Sequence, residues 1–202
     1  ELGGKTYIRV VDFKTGSKKF DLREVYYGLD CQMLLYLFTL ERNGGHLFSQ
    51  GTAAGVEYLW ADPAPENIIR PETDDAEPSQ AQNYPLEGLL LDEPSIYHAM
   101  DTRGTGAFVP LSFSAKTGEP TAQSAKARLA DREKFNRIRD HLDGMLTDMA
   151  KNLYSGEIDA APLVPNAGKS PCLWCEYRTV CRHADGEGER TPLKPDDPFG
   201  AE

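Results

Sequence analysis

Four side chains near the amino end have the types and spacing for chemistry on a phosphodiester. Asp12 and Lys14 lie two apart in VVDFKTG, and Gln32 and Tyr36 lie four apart in CQMLLY. A strand alternates its faces with a period of two, so Asp12 and Lys14 are neighbours, with Ile8 and Val10 on the same face. Positions four apart on a helix sit one turn apart, so Gln32 and Tyr36 share a side. A carboxylate is a hard oxygen ligand that suits Mg2+, and a metal there stabilises charge on the attacking and leaving oxygens. An ammonium beside a bound water favours its deprotonated form by charge. Blander readings stay open at this point: an exposed strand end with a weak ion pair, a core tyrosine and a solvated glutamine.

The elements that must position these groups are legible in outline. Residues 7–13 are rich in β-branched and aromatic types, which favour a strand. Thr15-Gly16 supplies a turn. A helix is expected over roughly 22–42, with Leu29, Met33, Leu37 and Leu40 at helical spacing. Residues 55–61 read as a second strand with Val56, Tyr58 and Trp60 on one face, Trp60 in the core. Residues 62–86 are rich in Pro, Glu, Asp, Gln and Asn and read as a loop insertion. A short helix over 94–100 carries His98, which has no partner motif. A strand is expected at 108–114, with Val109, Leu111 and Phe113 on one face, and a turn at 116–118. A long helix starts at Asp131 as N-cap and ends before Gly156. Its stripe of Phe135, Ile138, Leu142, Met145, Met149 and Leu153 reads as core packing, with His141 exposed to one side.

At 202 residues, with 40% hydrophobic and 27% charged residues, the chain has the composition of one globular core. It has no apolar run of membrane-spanning length and no visible secretory signal, so a cytoplasmic protein without membrane contact is expected. The net charge of −10 is concentrated: residues 61–100 hold nine Asp or Glu against one Arg. A basic cluster, Lys126, Arg128, Arg132, Lys134, Arg137 and Arg139, reads as a solvated helix face, with phosphate contact as the alternative.

The pairing of VVDFKTG with YYGLDCQMLLYL resembles the RecB-type branch of the PD-(D/E)XK nucleases, and within it the C-terminal nuclease domains of the AddB chains of AddAB-type helicase–nucleases. The resemblance runs from Tyr7 to about His183. It implies that Asp12 binds a divalent metal, Lys14 positions or activates the attacking water, and Gln32 and Tyr36 support the active site and the DNA backbone. It also implies another acidic ligand on a strand preceding Asp12. The opening Glu1-Leu2-Gly3-Gly4 reads as the hairpin turn after that strand. With Asp12 as the one core acid, weak metal binding and little or no cleavage are expected from this chain alone.

A second segment carries chemistry of another kind. Cys172, Cys175 and Cys181 form C-x2-C-x5-C, which in a protein read as cytosolic suggests metal ligation rather than disulfides. The resemblance implies a [4Fe–4S] cluster whose fourth Cys lies outside this chain. The rival is a Cys3His zinc site completed by His183. Cys31 reads as a buried thiol.

Together these readings predict an α/β, restriction-endonuclease-like mixed sheet flanked by helices over 1–170, a cysteine segment at 171–183 and a flexible tail at 184–202. The expected function is Mg2+-dependent exonucleolytic hydrolysis of DNA, on the 5′-ended strand, during ATP-dependent double-strand break resection, with the AddA-type chain of the helicase–nuclease as partner. The alternative is a non-catalytic structural or interaction module of the same complex. A free zinc-dependent DNA-binding module ranks last because the chain is acidic.

Overall fold

The computed structural model describes residues 1–16, 18–47, 50–60, 86–164, 170–181, 183, 188–192 and 197–200. β1 (Thr6–Lys14) is followed by α1 (Leu22–Tyr26) and α2 (Gln32–Asn43), a single 3-10 turn at Gly44–His46, and β2 (Gly51–Trp60). Next come β3 (Leu86–Leu91), α3 (Pro94–Met100), α4 (Ala122–Arg128), β4 (Leu129–Ala130) and α5 (Arg132–Ser155). A 3-10 turn at Pro171–Trp174 and α6 (Arg178–Cys181) carry the cysteines.

The strands form one mixed sheet in the order β1-β2-β3-β4. β1 and β2 are parallel, β2 and β3 antiparallel, β3 and β4 parallel. Parallel strands need a crossover, and α1 and α2 supply it between β1 and β2. Gly88 is required where β3 runs antiparallel beside β2, because a Cβ there would collide with the Val56 carbonyl oxygen. β1 is an edge strand; among the described residues no strand pairs along its outer side.

One face of the sheet carries the main core. Ile8, Val56, Tyr58, Leu89 and Leu91 pack with Met33, Leu34, Leu37 and Phe38 of α2 and with Phe135, Ile138 and Leu142 of α5. Phe38 and Phe135 meet edge to face at 6.5 Å, locking the two helices together. A smaller cluster of Leu90, Tyr97, Val109 and Leu111 lies apart from it. The α/β class and the mixed sheet follow the sequence expectation.

Several expectations need correction. The helix expected over 22–42 is two helices. Gly28 at φ +82° and Asp30 at φ +54° take left-handed conformations that a right-handed helix cannot pass through. A Cβ at Gly28 would also sit 2.9 Å from the Met145 sulfur. Leu29 falls in this break and is exposed, so α2 buries Met33, Leu34, Leu37 and Phe38 instead. Residues 108–114 are irregular rather than a strand. Val109 and Leu111 are buried and Phe108 exposed, as alternation demands. However, β4 takes the side of β3 that a further strand would need, leaving only a Phe113–Pro120 bridge.

The α5 stripe is core only in its first half. Met149 and Leu153 are exposed, as are Tyr154 and Ile158. At ~1.5 Å per residue α5 is about 36 Å long, and its carboxyl end runs past the core. The Asp131 cap accepts a hydrogen bond from the Lys134 amide, and Gly156 closes the helix at φ +79°, both as read. Trp60 is half-buried, its indole N–H donating to the Lys18 carbonyl at 3.2 Å. His141 does not stand free; it stacks on Tyr26. Within the tail read as flexible, residues 197–200 dock on the domain and Phe199 is buried. The acidic insertion at 62–86 lies outside the described residues apart from Leu86, which begins β3.

Candidate active site

The site forms where β1 and β2 end and α2 begins. Asp12 and Lys14 leave the core face of β1 near its carboxyl end. The Lys14 ammonium sits 2.7 Å from the Asp12 carboxylate, and each side chain is about one-third exposed, 34% and 32%. Tyr58 lies in register with Asp12 on β2, and Lys14 Nζ stands 5.3 Å from the centre of its ring. Burial pushes the Tyr58 phenol up to about 12, helped by the carboxylates of Asp30, Asp12 and Glu24 around it. Tyr58 is therefore a neutral wall of the site.

Gln32 and Tyr36 form a second pair on the outer side of α2. Gln32 Nε2 donates to the Tyr36 hydroxyl at 3.0 Å. Tyr36 is 54% exposed, so the core-tyrosine reading does not hold. Among the described residues no hydrogen bond or ion pair joins the Gln32–Tyr36 pair directly to Asp12–Lys14. The connection runs through Asp30, two residues before Gln32, which lies close enough to Lys14 and Tyr58 to influence both.

Sequence reasoning missed this third group. Asp30 is ion-paired with Lys18, and Lys18 also approaches Glu24 at 4.0 Å. A hydrogen bond with Asp30, together with burial, holds the Glu24 carboxyl above its ordinary value. Burial alone would raise Asp30, but Glu24 and the ammonium groups of Lys18 and Lys14 bring it below the usual range. The two carboxyls thus divide unequally, with Asp30 the anionic partner and Glu24 the better holder of a proton. Asp30 is also the one non-glycine residue at positive φ among the described residues, and such strain persists only where surroundings enforce it. The available signal was its position in GLDCQ, beside a glycine and just ahead of Gln32.

α2 begins at Gln32 itself, with no side-chain cap and no acidic residue in its first turn. Its amino end therefore leaves backbone donors and a partial positive charge beside the Gln32 side chain. Cys31, just before it, is buried, its thiol donating to the carbonyls of Leu29 and Val25 at 3.3 and 3.6 Å. Burial and the Asp30 carboxylate push that thiol up to about 11, in keeping with a packing role.

The basic cluster is largely neutralised by neighbours. Arg128 pairs with Glu87, Arg132 with Glu93, Lys134 with Asp197, Arg137 with Glu133, and Arg139 with Glu41 and Asp140. Side chains held this way do not form an open phosphate track, so the solvated-face reading is the better one.

Among the described residues no three His, Cys, Asp or Glu side chains are grouped to hold a metal ion. Asp12 fits one corner of a magnesium ion that keeps its waters, since it is an accessible hard-oxygen ligand. Cys172 is half-buried, and Cys175 and Cys181 are exposed. Cys172 sits in the 3-10 turn capped by the Ser170 hydroxyl, and Cys181 closes the single-turn α6. The three thiols have the right donor chemistry for iron, but the fold does not gather them into one set. The His183 Nε2 atom is buried with no hydrogen-bond partner among the described residues.

The family model for the PD-(D/E)XK nuclease superfamily matches residues 2–182. The B-type chain of the ATP-dependent helicase/deoxyribonuclease of Clostridium botulinum (strain Loch Maree / Type A3) is 30% identical over 183 residues, covering 89% of this chain and 16% of that protein. The protein of the same description from Clostridium perfringens (strain 13 / Type A) is 31% identical over 189 residues, with 90% and 16% covered. That of Thermoanaerobacter sp. (strain X514) is 30% identical over 189 residues, with the same coverage. The chain thus spans 16% of the length of these relatives.

Proposed function

The chain belongs to the PD-(D/E)XK nuclease superfamily, and from that premise we propose that it is the nuclease domain of the B-type chain of an ATP-dependent helicase–deoxyribonuclease. It hydrolyses DNA phosphodiesters, on the strand ending 5′ at a break, during resection for recombinational repair. Its partners are DNA and the A-type chain of the complex, and its compartment is the cytoplasm. Among the described residues no helix is long and apolar enough to cross a membrane. The observation that carries the proposal is the Asp12–Lys14 pair at the strand end, beside the uncapped amino end of α2 that bears Gln32 and Tyr36.

The roles follow from chemistry. Magnesium, when bound, supplies stabilisation of the charge that develops on the attacking and leaving oxygens. Asp12 is the residue of this chain that would hold it. The Lys14 side chain stands beside Asp12, where an ammonium favours the deprotonated form of a water that must lose a proton. Tyr58 walls the site below Lys14 and excludes water from that side. Gln32, oriented by its bond to Tyr36, and the free amide donors of α2 bind and orient phosphate oxygens. Cys172, Cys175 and Cys181 would hold a [4Fe–4S] cluster with a fourth cysteine from elsewhere, as a structural staple remote from the reaction.

The test is Asp12→Ala in the full-length protein with its partner chain. Magnesium-dependent cleavage of duplex ends is lost while DNA-stimulated ATP hydrolysis continues. Unchanged cutting refutes the assignment and favours a non-catalytic module. Absorption spectra and metal analysis after anaerobic preparation decide the cysteine segment: a brown chromophore supports iron–sulfur, and colourless stoichiometric zinc refutes it.

A further inference from the structure

Residues 197–200 close on the element that leads into the site. Residues 197–200, Asp-Pro-Phe-Gly, lie across the outside of α1 and the first half of α5. Phe199 is 4% exposed and belongs to the main core. Its ring meets Tyr26 at 5.8 Å and His141 at 5.4 Å, both in tilted-to-perpendicular geometry. Tyr26 and His141 stack on each other at 4.7 Å, and a hydrogen bond of 2.8 Å links the His141 Nε2 to the Tyr26 carbonyl. The three rings form one closed cluster.

The strap is also held by charge and by backbone. Arg137 Nε donates to the Phe199 carbonyl at 2.9 Å, and Lys134 Nζ to the Asp197 carboxylate at 2.7 Å. Asp197 in turn accepts from the Phe199 amide at 3.3 Å. Lys134 and Arg137 are two of the cations that the sequence offered as phosphate contacts. Here they bind Asp197 and Phe199 of this same chain.

What the strap presses on matters. α1 has five residues, too few to be stable without tertiary contacts. Buried Val25 anchors its inner side, and Tyr26, 37% exposed, rests against the His141 and Phe199 rings on its outer side. Two and four residues after Tyr26 come Gly28 and Asp30, the two left-handed residues that turn the chain into α2 and set where Gln32 begins it. The inner side of the turn is held by buried Val25, by the Asp30 pairs with Lys18 and Glu24 and by the Cys31 thiol on the Val25 carbonyl; the ring cluster of Tyr26 holds the outer side.

We propose that Phe199 is a positioning residue for the nuclease site: by clamping Tyr26 against His141, it fixes the turn through Asp30 from which Gln32 projects. The proposal rests on the nuclease reading for its consequence but not for its geometry. Leu163 and Arg190 bridge the base of the cysteine-bearing segment, with the Val164 amide donating to the Arg190 carbonyl at 2.9 Å.

The experiment compares wild type, Phe199→Ala and Phe199→Leu in the full-length protein, by hydrogen exchange and by steady-state DNA cleavage. In Phe199→Ala, amides of residues 24–32 exchange at least tenfold faster while β1–β2 amides are unchanged. The kcat for cleavage falls about tenfold with the magnesium dependence and KM for DNA unmoved, and Phe199→Leu restores most of both. Unchanged exchange at 24–32, a uniform rise across the whole chain, or a local rise with undiminished kcat overturns the proposal. Asp12→Ala, which leaves the strap untouched, is the separate control. If that variant still cuts, the nuclease reading fails, and the exchange data alone decide whether Phe199 holds the turn.

Discussion

Glu57 offers a quantitative test of how the sheet is held. It sits on β2 facing away from Tyr58, 2% exposed, with Oε2 3.0 Å from the Arg9 guanidinium on β1. Its other oxygen, Oε1, is buried without a hydrogen-bond partner among the described residues. Arg9 is shared, donating also to the Phe108 carbonyl at 2.7 Å. Burial pushes the Glu57 carboxyl from an ordinary 4.5 up to about 7, and Arg9 offsets only part of that rise. An acid whose folded pKa exceeds its unfolded value binds more protons when folded, so its contribution to stability is lost as pH rises. The window runs from 4.5 to about 7. At about 1.36 kcal/mol per pH unit, wild type loses about 3 kcal/mol across it from this group alone. Urea denaturation of wild type and Glu57→Gln at intervals from about pH 4 to pH 8 measures it. Whatever the glutamine does beside Arg9 is nearly independent of pH, so the difference in slope isolates the titration. The wild-type curve should fall relative to the variant by about 3 kcal/mol. Parallel curves, or a wild type that gains on the variant as pH rises, would refute the reasoning and mean that the Arg9 pair outweighs burial.

Tyr36→Phe removes the oxygen that accepts from Gln32 on an exposed helix side. Stability should stay within about 0.5 kcal/mol of wild type, while DNA cleavage by the full-length enzyme falls at least tenfold in a single-turnover assay. Gly88→Ala drives a Cβ to 2.1 Å from the Val56 carbonyl oxygen, a backbone atom that cannot swing aside. A loss of roughly 3 kcal/mol or more is expected by thermal melting, from strain between two central strands. Asp131→Ala deletes the hydrogen bond that the Lys134 amide makes at the start of α5. It should cost about 1 kcal/mol in urea denaturation, without changing the magnesium dependence of cleavage.

What could be read from the sequence was whatever depends on neighbours along the chain. The face shared by Ile8, Val10, Asp12 and Lys14, the pairing of Gln32 with Tyr36 and the Asp131 cap all follow from local periodicity. The break at Gly28–Asp30 did not show, because a run of helix formers surrounds it and the Met145 contact that favours a glycine comes from 117 residues later. Asp30, Glu24 and Lys18 were missed for a related reason. Their meeting depends on that same break, which brings Asp30 back to Glu24 and Lys18. The half-buried stripe of α5 was over-read: a 3.6-residue period shows which side is apolar but not how far the partner surface extends. Phe199 lay in a Gly-, Pro- and acid-rich tail, and nothing in composition indicates that one aromatic residue will return to the core.

The position of β1 at the margin of the sheet has a consequence for control. The strand that bears Asp12 is also the one whose outer amides and carbonyls invite another strand. Any segment laid along that margin would deliver its side chains within reach of the Asp12 carboxylate in the same act that completes the hydrogen-bond ladder. Assembly of that margin and completion of the site would then be one event.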